Sequence, residues 1–120
     1  MIQREHLGKG VTCREDVSVL DVARLLRDSK KHHVFVLYFS DRPVGIVSTM
    51  DMNNKVVAEL LDPSKLRARD IMTKDVKVAR LVESYALAYS LMMDLGTYSV
   101  PVVDKDGKFL GVFEYAKDEK

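Results

Sequence analysis

The sequence predicts an α+β protein built from one β-α-β-β-α unit used twice. Sliding the chain along itself by 66 residues brings Arg14 onto Arg80, Ser18 onto Ser84, Leu25 onto Leu91, Asp28 onto Asp94, Val34 onto Val100, Val36 onto Val102 and Gly45 onto Gly111 without a gap. Those pairs punctuate the same order of elements in each half: a short strand, an amphipathic helix, two strands joined by a tight turn, and a loop entering another helix. The composition fits a folded chain, with 47% apolar and 31% charged residues and only three prolines. At 120 residues it makes one compact domain, or two half-domains that share a core.

In the first half, Ser18 opens a helix whose apolar face carries Val19, Val22, Ala23, Leu25 and Leu26, with Asp21 in its first turn and an end near Ser29. The β-branched and aromatic run Val34 to Phe39 then reads as a strand. Ser40 to Pro43 supplies turn chemistry, and Val44 to Ser48 returns as the second strand of a hairpin. A second helical pattern carries Val56, Val57, Leu60 and Leu61 until Asp62-Pro63-Ser64 breaks it. A charged connector, Lys65 to Asp70, divides the halves, so residues 1–64 are read as repeat one with its lead-in and 65–120 as repeat two. In repeat two Ser84 caps a helix with Leu87, Ala88, Leu91 and Met92 inward, and Gly96 stands where a helix end wants positive φ. A hairpin follows, Val100 to Asp104 and Phe109 to Phe113 around Lys105-Asp106-Gly107, and the repeat ends before its last helix is complete.

Nineteen basic and eighteen acidic side chains leave a net charge of +1, without the long-range field that non-specific nucleic-acid or membrane binding uses. The single cysteine, Cys13, forms no internal disulfide, and the first ten residues lack the apolar core of a signal peptide, so a cytoplasmic location is expected. No apolar run approaches the roughly twenty residues of a membrane helix. No phosphate loop, dinucleotide glycine fingerprint, zinc-ligand spacing or nucleophile with a base occurs, so neither catalysis nor a resident cofactor is expected.

Asp70 to Val76 (DIMTKDV), Tyr98 to Val112 (YSVPVVDKDGKFLGV) and Gly45 to Asp51 (GIVSTMD), in this order and spacing, resemble tandem CBS domains from about Gly10 onward. The resemblance implies two repeats packed through their sheets about a pseudo-twofold axis, with adenosine derivatives as the usual ligands and regulation as the usual role. In the family pattern Gly-h-h-Ser/Thr-x-x-Asp, matched here by Gly45-Ile46-Val47-Ser48-Thr49-Met50-Asp51, the hydroxyl residue meets phosphate and the aspartate accepts both ribose hydroxyls. A carboxylate suits that task because its two oxygens match two vicinal donors. Read without the family, Ser48-x-x-Asp51 is a helix capping box, and the two roles are compatible. The resemblance further implies ligand contacts at Val47, at Met72 beside the base, at Lys77 and Val78, and at Thr97 and Tyr98. Tyr98 either meets the ligand or packs at the start of a strand.

His32-His33 stands where family members that sense nucleotides carry His-Arg facing phosphates. Neighbouring side chains on extended chain diverge, so at most one faces a ligand, and His33 is assigned to it; the other reading is a pair of surface histidines. Lys30 and Lys31 add positive charge nearby. In repeat two Glu114 and Lys117 replace the hydroxyl and the carboxylate, so one competent nucleotide site per chain is expected. As residues alone, Glu114 and Lys117 are equally an exposed charge pair.

The functional expectation is therefore a non-catalytic sensor of AMP, ADP or ATP. A scaffold that binds no ligand and an S-adenosylmethionine binder are the alternatives. The module is expected to stand alone and to act on a partner protein. A homodimer is expected through the helix Val19 to Asp28 and the helix opened by Ser84, whose Tyr85 and Tyr89 are read as facing outward.

Overall fold

The computed structural model describes residues 1–114. The described chain divides into two compact units, one made of residues 11–76 and the other of residues 1–10 joined to 77 onward. Compact unit and sequence repeat thus differ at their edges: the first ten residues belong with the second repeat's hairpin, and residues 65–76 belong with the first.

In the first unit, β1 (Thr12–Arg14) runs parallel to β2 (His33–Leu37), β2 pairs antiparallel with β3 (Pro43–Ser48), and β3 with β4 (Thr73–Lys74). Helix α1 (Val19–Ser29) makes the crossover between the parallel strands. Ser18 starts it by accepting the Asp21 amide at 3.1 Å, and Lys30 ends it in the left-handed region at φ 60°. Val19, Val22 and Leu26 lie one helical turn apart and pack on Val34, Val36 and Val47 of the sheet, with Val56, Ala68 and Ile71 closing the core. Phe35 and Ile46, on the other face of the same strands, are buried as well. That double burial explains why β2 reads as a continuous apolar run and not as an alternation.

The expected strand Val34 to Phe39 is two residues too long. Backbone bonds from Tyr38 N–H to Arg42 and from Asp41 N–H to Tyr38 turn the chain after Leu37, leaving Phe39 exposed. The expected helical face Val56, Val57, Leu60 and Leu61 is also corrected. The helix begins earlier, as α2 (Thr49–Met52), and widens into a π-helical turn over Asn53–Val57. Leu60 then takes a positive φ of 58°, so of the four only Val56 reaches the core. A short α3 (Ala68–Ile71) leads into β4.

The second unit repeats the frame. β5 (Ala79–Arg80) lies parallel to β6 (Ser99–Val103), which pairs antiparallel with β7 (Phe109–Glu114), and α4 (Tyr85–Leu95) is the crossover, capped by Ser84 and ended by Gly96 at φ 69°. Ala88 and Met92 enter its core with Ile2, Val100, Val102 and Phe113. Leu87, expected inward, is 42% exposed: it lies about 100° round α4 from Ala88, off the face that Ala88 and Met92 bury. The place that β4 fills in the first unit is taken here by the N-terminal segment, with Gly8 and Val112 exchanging backbone bonds at 2.8 and 2.9 Å. Tyr85 is not a free outward ring: it stacks on Phe113 at 5.3 Å, and Tyr89 leans on the same ring. Among the described residues no helix is long and apolar enough to cross a membrane.

Candidate functional site

The chemistry-bearing residues gather where β3 gives way to α2. Ser48 is the last residue of β3 and the N-cap of α2. Its hydroxyl accepts the Asp51 amide at 3.0 Å, and Asp51 Oδ2 accepts the Ser48 amide at 2.9 Å, a reciprocal capping box. Strand pairing sets His33 directly opposite Ser48, and the Thr49 amide donates to the His32 carbonyl at 3.0 Å. The loop before β2 and the start of α2 therefore form one corner. Val47 is wholly buried with its side chain in the core, so this corner has only its backbone to offer.

Asp51 is a largely covered carboxylate, its side chain 15% exposed. Its second oxygen, Oδ1, lies 3.1 Å from Lys55 Nζ, and the same ammonium donates to the Ile71 carbonyl at 2.8 Å. Met72 follows immediately and presses on Gly45, where a Cβ would stand 2.5 Å from its sulfur. The structure thus brings His33, Ser48, Asp51 and Met72 to one end of one sheet and adds Lys55. The only signal for Lys55 in the sequence was its spacing of four from Asp51.

Burial holds His33 below the ordinary imidazole value; the neighbouring His32 pushes the same way and Asp51 opposes both. At neutral pH it is therefore a neutral polar group, a weak substitute for a phosphate-binding arginine. The Cys13 thiol is pushed up to about 12 by burial and by Asp16, which removes it as a nucleophile. Among the described residues no group of three or more His, Cys, Asp or Glu side chains is placed to hold a metal.

A groove of about 670 Å³ opens beside this corner between α1 and the segment after α2, its lining including the apolar Leu26, Met52 and Val56 and the cationic Arg27, Lys30 and Lys31. Lys77, Val78, Thr97 and Tyr98 belong to the other unit, where Lys77 and Tyr98 are exposed and the Thr97 amide donates to the Met92 carbonyl at 3.1 Å. Glu114 pairs with Ser99 as Ser48 pairs with His33, so it sits at the matching end of β7, exposed and acidic. Lys117 lies outside the described residues.

The family model for the CBS domain matches twice, over residues 9–58 and 68–115. An uncharacterized protein of Methanopyrus kandleri is 30% identical over 110 residues, a match covering 86% of this chain and 56% of that protein. The chain thus spans about half the length of that relative, and 23% of the next. Hypoxic Response Protein I, solved with two coordinated zinc ions, superposes with a TM-score of 0.82 at 21% identity, covering 95% of this chain and 92% of its own. A Pyrobaculum aerophilum protein complexed with AMP superposes with a TM-score of 0.79 at 24% identity, covering 95% and 87%.

Proposed function

Because this chain belongs to the CBS domain family and carries a pair of its repeats, we propose that it is a non-catalytic regulatory module whose first repeat binds an adenosine phosphate. The observation that carries the reading is the state of Asp51. A carboxylate has about four acceptor positions, and among the described residues two are taken, by the Ser48 amide and the Lys55 ammonium. The two that remain match the two hydroxyl donors of a ribose. Ser48 stands beside it for a phosphate oxygen, and Met72 supplies a soft apolar surface for a purine. The Pyrobaculum protein complexed with AMP has the same fold and supports the ligand class. With His33 held neutral, the group opposite Ser48 brings no fixed positive charge to a phosphate, which favours a ligand of low phosphate charge over a triphosphate.

The module acts by changing the shape or assembly it offers to a partner protein. A second copy of the chain is the assembly proposed, seated along the apolar groove beside α1, where Val57 and Leu61 remain exposed. One observation favours a second reading, a scaffold without ligand: Asp51 already has partners of its own.

A thermal-shift series with AMP, ADP, ATP and S-adenosylmethionine separates the two. A ligand at a hundred times its dissociation constant stabilises by about 2.7 kcal/mol, which for a chain of this size is a rise on the order of 10 °C. A rise with AMP supports the sensor. No movement with any of the four at millimolar concentration leaves the scaffold reading.

A further inference from the structure

Lys55 occupies an unusual position for an exposed-surface lysine. It lies in the π-helical turn Asn53–Val57, a rare widening that often marks functional segments, and its side chain is 42% exposed. From there its ammonium holds two groups that are far apart in sequence. One is Asp51 Oδ1 at 3.1 Å; the other is the carbonyl of Ile71 at 2.8 Å. Ile71 is the last residue of α3, so its carbonyl is one of those that a helix end leaves without an internal partner. Asp51 is held from its other side by the Ser48 amide, which leaves the carboxylate little freedom to rotate.

We propose that Lys55 is a positioning residue for ligand recognition: it fixes the Asp51 carboxylate against the stretch that ends in Met72, so that the acceptor for the ribose and the surface for the base are held as one piece. The inference rests on the reading that repeat one binds an adenosine phosphate, and it deepens that reading by naming what sets its preference for a vicinal diol. A carboxylate fixed by two partners presents its remaining lone pairs in one direction, and two adjacent hydroxyls are the donors that such a fixed pair distinguishes from one. A carboxylate freed to rotate serves one hydroxyl nearly as well as two.

The test is calorimetry of AMP and 2′-deoxy-AMP on the wild-type chain, Lys55→Met and Lys55→Arg, with melting curves to establish folding; Lys55→Gln replaces Lys55→Met if that variant melts early. In the wild type AMP binds about tenfold more tightly than its deoxy analogue, the size of one charge-assisted hydrogen bond. Lys55→Met weakens AMP by about tenfold, weakens 2′-deoxy-AMP much less, and brings the two within about threefold of each other. Lys55→Arg, which keeps the charge and the reach, restores most of the preference. If Lys55→Met keeps the wild-type preference, or weakens both ligands by the same factor as a distant charge would, Lys55 is not positioning Asp51 and the inference falls while the nucleotide site stands. A wild-type chain that binds neither compound overturns the site and the inference together.

Discussion

The two repeats share a frame and differ in what they put on it. Ser18 and Ser84 cap their helices through bonds of equal length, 3.1 Å to the third residue on. Arg14 donates to the Tyr38 carbonyl and Arg80 to that of Asp104, each 24 residues on, and both hairpins slip register at the same place, Val36/Leu37 and Val102/Val103. The corner after the hairpin is where they part. In the first repeat β3 ends in Ser48 and a closed capping box; in the second β7 ends in Glu114, which puts a negative charge where the first repeat has a hydroxyl. Packing requirements hold the frame constant, whereas the corner carries little of the core and so is free to keep or lose its chemistry.

The cores differ in a compensated way. Val22 and Ala68 of the first correspond to Ala88 and Ile2 of the second, the larger side chain having moved from the crossover helix to the segment beside the sheet. The N-terminal segment is thus a structural part of the second unit: Ile2 is fully buried, and its backbone bonds to Glu83 and Val82 at 2.9 and 2.8 Å. The largest expected effect follows. Ile2→Ala removes a buried branched side chain and is expected to cost about 2–5 kcal/mol in denaturant unfolding. Hydrogen exchange should accelerate in β6 and β7 before β2 and β3; uniform acceleration would show that the segment does not belong to one unit.

A middle-sized effect compares two glycines at the same place in the frame. A methyl at Gly45 meets the Met72 sulfur at 2.5 Å and the Thr73 carbonyl at 3.0 Å, whereas at Gly111 it meets the Gly8 carbonyl at 2.6 Å. Most of the first clash is with a flexible side chain and the second is with backbone, so Gly111→Ala should destabilise more, by about 1–3 kcal/mol. Equal melting temperatures for the two variants would remove the distinction.

Helix ends give a smaller contrast. Ser48→Ala opens a capping box and should cost about 1 kcal/mol, while Glu114→Ala should leave stability within about 0.5 kcal/mol. Lys30, which ends α1 in the left-handed region that Gly96 occupies without strain, should gain up to about 1 kcal/mol as Lys30→Gly.

The smallest expected effect is a pH dependence confined to the first unit. The folded chain holds His33 below its ordinary value of 6.5, so below that pH the unfolded chain binds more protons. The stability that neutral His33 contributes is fully present above pH 6.5 and is lost as pH falls toward the folded value. Its counterpart in the second unit is Ser99, which does not titrate there. His33→Gln should flatten this part of the stability curve, and an unchanged slope would assign it to other groups.

Much of this frame was legible because local signals repeat: serine caps, β-branched runs and the glycine of the second hairpin strand, Gly45 and Gly111, all recur 66 residues on. The strand end at Leu37 was not, since Tyr38 and Phe39 have strand-forming side chains and only the backbone turn excludes them. Val57, Leu60 and Leu61 follow a helical spacing that a π-helical turn and a positive φ at Leu60 override. The N-terminal segment's place against β7 is a non-local pairing, invisible to any window along the chain. At the site, Ser48, Asp51, Met72 and His33 were reached through motif resemblance; Lys55 belongs to no motif and emerges only when the Ile71 carbonyl is brought beside it.

The central claim, that the first repeat and not the second carries the ligand site, is tested most directly by calorimetric titration of AMP into the wild-type chain, Asp51→Ala and Glu114→Ala. One site per chain is expected in the wild type. Asp51→Ala should weaken it by about tenfold to a hundredfold, the loss of hydrogen bonds to a charged acceptor, and Glu114→Ala should leave it unchanged. Two equal sites per chain, or an Asp51→Ala variant that binds as the wild type does, would contradict the claim.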